Sequence, residues 1–143
     1  TIDLAAQREE LDTAKGVSLV GYSMGSWFGV LAGTADPRIK AMALMSGGVA
    51  AVDGRSRKRK GQEGVLQRYV DTRPLTVIGQ FSPRPLLMLN GKRDHLGPDK
   101  RVKALFRAAK KPKEIKWYDK GGHLLPSQAA EDAAEWLSRQ TRK

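Results

Sequence analysis

Gly21-Tyr22-Ser23-Met24-Gly25 constrains what this chain can fold into more than any other stretch. Val17-Ser18-Leu19-Val20 before it reads as a short apolar strand. After it, Met24, Trp27, Phe28 and Leu31 recur at i, i+3, i+4 and i+7, which predicts one inward face of a helix. A strand that turns sharply into a helix, with a serine at the turn, has the form of a nucleophile elbow. Gly21 and Gly25 are expected where neighbouring backbone leaves no room for a Cβ, and Ser23 in a strained conformation. The Ser23 hydroxyl then projects at the carboxyl edge of a sheet, above a helix N-terminus. Unpaired N–H groups and the helix dipole favour negative charge there.

The rest of the chain alternates strand and helix patterns. Asp3 to Ala14 is expected to be a helix with Leu4, Ala5 and Leu11 inward, ended by Lys15-Gly16. Ile39 to Met45, with the apolar run Ala41-Met42-Ala43-Leu44-Met45, suits a strand covered on both faces in a parallel sheet. Leu75 to Phe81 reads as a short helix or turn. Leu86 to Leu89 is a third strand, after Pro83-Arg84-Pro85. Pro98 opens a helix whose apolar face is Val102, Leu105, Phe106 and Ala109. Glu114 to Tyr118 alternates Ile115 and Trp117 with charged neighbours, as a half-exposed strand near a sheet edge does. Ser127 to Arg139 is a final helix with Ala129, Ala133, Trp136 and Leu137 inward. The alternation predicts an α/β chain with about four mostly parallel strands flanked by helices.

Composition removes several functional classes. At 143 residues one domain is expected, large enough for a real core. There is no cysteine, hence no disulfide, thiol nucleophile or thiolate metal site, and His95 and His123 are the only histidines. No metal site is expected. The longest apolar run, near Trp27 to Ala32, is far short of a membrane span, and no basic-then-apolar leader opens the sequence. These features point to a cytoplasmic protein. The net charge is +11, concentrated in Arg55-Ser56-Arg57-Lys58-Arg59-Lys60 and Lys110-Lys111-Pro112-Lys113. The first run lies between Gly54 and Gly61 without interleaved aromatics, so a solvated loop is favoured over nucleic-acid binding.

A serine hydroxyl needs a base, and a histidine base needs an acid to hold its tautomer. In a parallel sheet the loops at the carboxyl ends of the strands bring such groups together. The loop after Leu86–Leu89 offers Asp94; Asp99, Asp119 and Asp53 are its rivals. The loop after Glu114–Tyr118 offers His123, behind Gly121 and Gly122, whose conformational freedom would carry it over the sheet edge. His95, beside Asp94, is expected to line the site or face solvent.

The order Ser23, Asp94, His123 is that of α/β-hydrolases. Gly21-Tyr22-Ser23-Met24-Gly25, the Asn90-Gly91-Lys92-Arg93-Asp94 turn and Gly121-Gly122-His123 resemble that family's elbow, acid turn and histidine loop. Leu86 to Asp94 and Tyr118 to His123 particularly resemble its dienelactone-hydrolase-like and prolyl-oligopeptidase-like branches. The resemblance implies a truncated α/β-hydrolase, residues 1–143, with a variable basic insertion at about 47–74. It implies a cofactor-independent serine hydrolase acting on a small carboxylic ester. In it Ser23 is the nucleophile, His123 the base, Asp94 its orienting acid, the Met24 N–H an oxyanion donor and Tyr22 a flank of the substrate site. A peptidase or thioesterase would use the same residues, and a hydrolase fold without effective catalysis is a further alternative. The family's second oxyanion donor comes from a loop upstream of the elbow, and no such sequence precedes Ser23. Truncation also leaves Val17–Val20 as an unpaired apolar edge strand, which implies a homo-oligomer, expected as a dimer joined at that edge.

Overall fold

A computed structural model describes residues 2–48 and 73–141. Asp53, the basic run at 55–60, the helical pattern of Val65, Leu66, Tyr69 and Val70, and most of the expected insertion lie outside the described residues.

Four parallel strands form the sheet in the order β1 (Val17–Tyr22), β2 (Ile39–Met45), β3 (Leu86–Gly91) and β4 (Lys113–Tyr118). Spatial order follows chain order, so each crossover returns the chain to the next strand. α1 (Ile2–Ala5) precedes the sheet, and α2 (Met24–Ala35) joins β1 to β2. α3 (Pro74–Val77) runs into a 3-10 turn at Ile78–Phe81 ahead of β3. α4 (Asp99–Ala108) joins β3 to β4, and α5 (Gln128–Thr141) follows β4.

The apolar runs of β2 and β3 are buried on both faces, as a parallel sheet requires. On one face Met42, Leu44, Leu86 and Met88 pack with Val30 of α2, Ile78 and Phe81 of the 3-10 turn, and Val102 and Leu105 of α4. On the other, Ala41, Ala43, Met45, Leu87 and Leu89 meet Ala129, Ala133, Trp136 and Leu137 of α5. β4 lies at one edge of the sheet, with Ile115 and Trp117 against the first cluster, as its alternation predicts. β1 is the opposite edge, and Val20 is 55% exposed on it.

Two helical expectations fail. The helix expected over 3–14 shrinks to Ile2–Ala5 and gives way to turns through Ala14. Leu4 and Leu11 are exposed, so no core contact compensates the ordering of a short, thinly apolar helix. In α2 the stripe Met24, Trp27, Phe28, Leu31 is not the buried face. Ser26, Gly29, Val30 and Gly33 are buried, whereas Met24 is 71% and Phe28 60% exposed. α2 crosses the sheet so closely that a Cβ on Gly29 would stand 2.8 Å from Leu19 Cδ2. Only small residues and Val30 fit that crossing; Met24 and Phe28 are turned outward, and Trp27 and Leu31 are half-buried.

Candidate active site

At the carboxyl end of β1 the backbone folds onto α2 through Ser23, with φ 54° and ψ −116°. That positive φ is uncommon for a residue with a Cβ and costs on the order of 1–3 kcal/mol, as the sequence pattern anticipates. The neighbourhood holds it there. The Ser23 N–H donates to Met45 O of β2 at 2.8 Å. The Ser26 hydroxyl is completely buried, lies 2.8 Å from Gly21 O and 2.9 Å from Met45 O, and accepts the Met45 N–H. Ser26 therefore ties the ends of β1 and β2 to the first turn of α2.

A Cβ on Gly21 would lie 2.6 Å from Gly25 O and 2.7 Å from Ser26 Cα, so this glycine is required by the close approach of helix to strand. Gly25 is different from expectation. Among the described residues a Cβ there would meet nothing within 4 Å.

The Ser23 hydroxyl lies 2.7 Å from His123 Nε2. His123 Nδ1 lies 3.0 Å from Asp94 Oδ2. The three side chains, from loops after β1, β3 and β4, form one hydrogen-bonded row. Burial rises along it: the His123 side chain is 27% exposed and that of Asp94 1%. The other Asp94 oxygen accepts the Leu96 N–H at 2.8 Å and the Gly97 N–H at 3.0 Å. Burial of Asp94 acts to raise its pKa, but the Gly97 amide, the His123 ring and the Leu96 amide together outweigh it. The carboxyl is held below its ordinary range. It is therefore an anion aimed at one imidazole nitrogen, which fixes the other toward Ser23.

The rival residues are elsewhere. Asp99 pairs with Lys103, Asp119 pairs with Lys92, and His95 is exposed to solvent. The backbone N–H of Met24 heads α2, where no intrahelical acceptor exists. Tyr22 sits beside the row with its hydroxyl on the histidine loop, donating to His123 O at 2.7 Å and accepting the Leu125 N–H at 3.1 Å.

The histidine loop owes its place to close backbone packing rather than to unusual torsions. Neither Gly121 nor Gly122 has a positive φ. Instead a Cβ on Gly91 would stand 2.3 Å from both Gly121 O and Gly122 O, and the Arg93 N–H donates to Gly121 O at 2.9 Å. Behind the serine, a Cβ on Gly47 would stand 2.2 Å from Ser23 O. Sequence reading missed Ser26 and the packing roles of Gly47 and Gly91. Their one visible signal is a small residue next to each proposed site loop.

With this geometry in place, likeness to known structures becomes informative. An acetyl xylan esterase from Paenibacillus sp. R4 superposes with a TM-score of 0.78 at 19% identity, over 96% of this chain and 49% of its own. The esterase domain of a Rhodothermus marinus protein gives 0.70 at 21%, over 99% and 65%. An acylaminoacyl peptidase from Pyrococcus horikoshii gives 0.75 at 16%, over 99% and 26%. This chain has the α/β-hydrolase fold. It spans about half to two thirds of the first such structures, and its four strands match that part of the fold. No family model matches the sequence, and no curated protein matches it. Among the described residues no helix is long and apolar enough to cross a membrane, and no group of three or more histidines and acids could hold a metal ion.

Proposed function

We propose that the protein is a serine hydrolase of carboxylic esters. The observation that carries this reading is the unbroken row from Ser23 Oγ through His123 to Asp94, with contacts of 2.7 and 3.0 Å. Ser23 Oγ attacks the ester carbonyl carbon while its proton passes to His123 Nε2. The imidazolium is stabilised by the Asp94 carboxylate. The Met24 N–H donates to the oxyanion of the tetrahedral adduct. As the adduct collapses, the ester C–O bond breaks and His123 returns the proton to the departing alcohol. Water, deprotonated by His123, then cleaves the acyl-serine ester and the carboxylic acid leaves.

Esterases among the structural neighbours support the ester as substrate, and an acylaminoacyl peptidase among them keeps amide cleavage as the runner-up. A hydrolase fold with weak or no turnover is the remaining reading; loss of one oxyanion donor costs about 2.7–4 kcal/mol of transition-state stabilisation. A fluorophosphonate probe with p-nitrophenyl acetate as substrate separates the readings. Labelling at Ser23 and turnover, both lost in Ser23→Ala, are expected; an unlabelled wild-type protein would refute the hydrolase.

The exposed β1 edge also supports pairing with a second copy. A hydrogen-bonded two-fold pair of edge strands runs antiparallel, which puts the two Ser23 residues at opposite ends of the joint sheet. A second copy joined in this way covers apolar surface but does not complete the oxyanion site of its neighbour.

A further inference from the structure

The loop that carries His123 has little backbone support of its own. Gly121 is anchored, through its N–H to Tyr118 O and its carbonyl to the Arg93 N–H. The next anchored backbone group is Pro126 O, which accepts from Ala129. Between them, among the described residues, Gly122 to Leu125 make no hydrogen bond to another backbone group. Two of their main-chain groups are held, and both by one atom. Tyr22 Oη donates to His123 O at 2.7 Å and accepts the Leu125 N–H at 3.1 Å. The phenol ring also stands edge-on to the imidazole, 6.3 Å between centroids at 74°. Tyr22 immediately precedes Ser23, at the end of a strand whose direction the elbow fixes.

We propose that Tyr22 is a positioning residue. Its hydroxyl bridges the histidine loop to the serine elbow, so that the two halves of the Ser23–His123 contact share one rigid reference. This rests on the serine-hydrolase reading above. The bridge replaces the regular secondary structure that the loop lacks. It acts on the backbone of His123 itself, whereas Asp94 acts only on the ring. A phenylalanine preserves the ring contact and removes both bonds, leaving His123 tethered by its side chain alone. Small displacements between reacting groups are costly, up to about a hundredfold in rate for an ångström.

The test compares wild type with Tyr22→Phe, using p-nitrophenyl acetate turnover, fluorophosphonate labelling and amide exchange. The expected result is a kcat lowered about tenfold or more, KM within about twofold, and faster exchange of the Leu125 amide. In a His123→Ala background the same substitution is expected to leave the residual turnover unchanged, because Tyr22 acts through His123. A kcat within twofold of wild type would overturn the proposal. So would a raised KM at constant kcat, or an equal loss without His123, either of which would make Tyr22 a wall of the substrate site. A Leu125 amide that exchanges freely in the wild-type protein would overturn it without recourse to any variant. Absence of labelling in the wild type would sink the hydrolase reading and this role together; labelled wild type with unaltered Tyr22→Phe would sink this role alone.

Discussion

At one edge of the sheet β4 alternates Glu114 and Lys116 with Ile115 and Trp117; at the other, β1 runs Val17-Ser18-Leu19-Val20-Gly21-Tyr22 without a charge. The charges of β4 are tied down. Glu114 accepts from the Trp136 indole at 2.8 Å, Lys116 pairs with Asp132, and Lys113 Nζ donates to Phe106 O and Ala109 O. This is a strand built to end a sheet, since charged edges resist further pairing. β1 has the composition of an interior strand, and Val20 on it is exposed, as are Met24 and Phe28 of α2. The base hangs from the charged edge and the nucleophile from the uncharged one. The difference teaches that the two sides of the Ser23–His123 contact are supported unequally, and each side can be attacked separately.

The heaviest blow to the His123 side of the contact is Asp94→Asn. Loss of the orienting anion is expected to lower kcat about 10,000-fold while the fold persists. The same group sets an acid dependence. Its folded pKa is lowered, so its stabilisation is fully present above about pH 4 and is lost as pH falls through the depressed value. Acid unfolding of the variant should be correspondingly less steep below pH 4, read by circular dichroism. Next is Trp136→Ala, which removes the buried anchor of α5 and the partner of Glu114. A loss of about 3–5 kcal/mol in chemical denaturation is expected. Smallest is Val20→Lys, which gives β1 the charge it lacks. Stability should change by no more than about 0.5 kcal/mol. Sedimentation should shift from dimer to monomer; a wild-type protein already monomeric at micromolar concentration would remove the paired edge from consideration.

Most of the sheet is legible in the sequence because its signals are strong and local. Ala41–Met45 and Leu86–Leu89 are unbroken apolar runs, and the inward set of α5 follows its period. Ser23, Asp94 and His123 are legible because parallel strands deliver their following loops to one edge. The buried face of α2 is not. Hydrophobic periodicity marks the bulky side, whereas close crossing selects Ser26, Gly29 and Gly33, so a spacing of small residues was the better guide. The second task of Tyr22 is hidden for another reason: its partners lie 101 and 103 positions away, and no local pattern encodes such a bond.

The Gly91 contact sets a dimension. At Gly91 the turn that bears Asp94 meets the loop that bears His123 main chain against main chain. The gap across which acid meets imidazole is thus gauged by the thickness of a polypeptide backbone, which exchanges of neighbouring side chains leave untouched. Such a gauge tolerates drift over most of the two loops and fails abruptly at one position, where a single methyl group would act as a wedge.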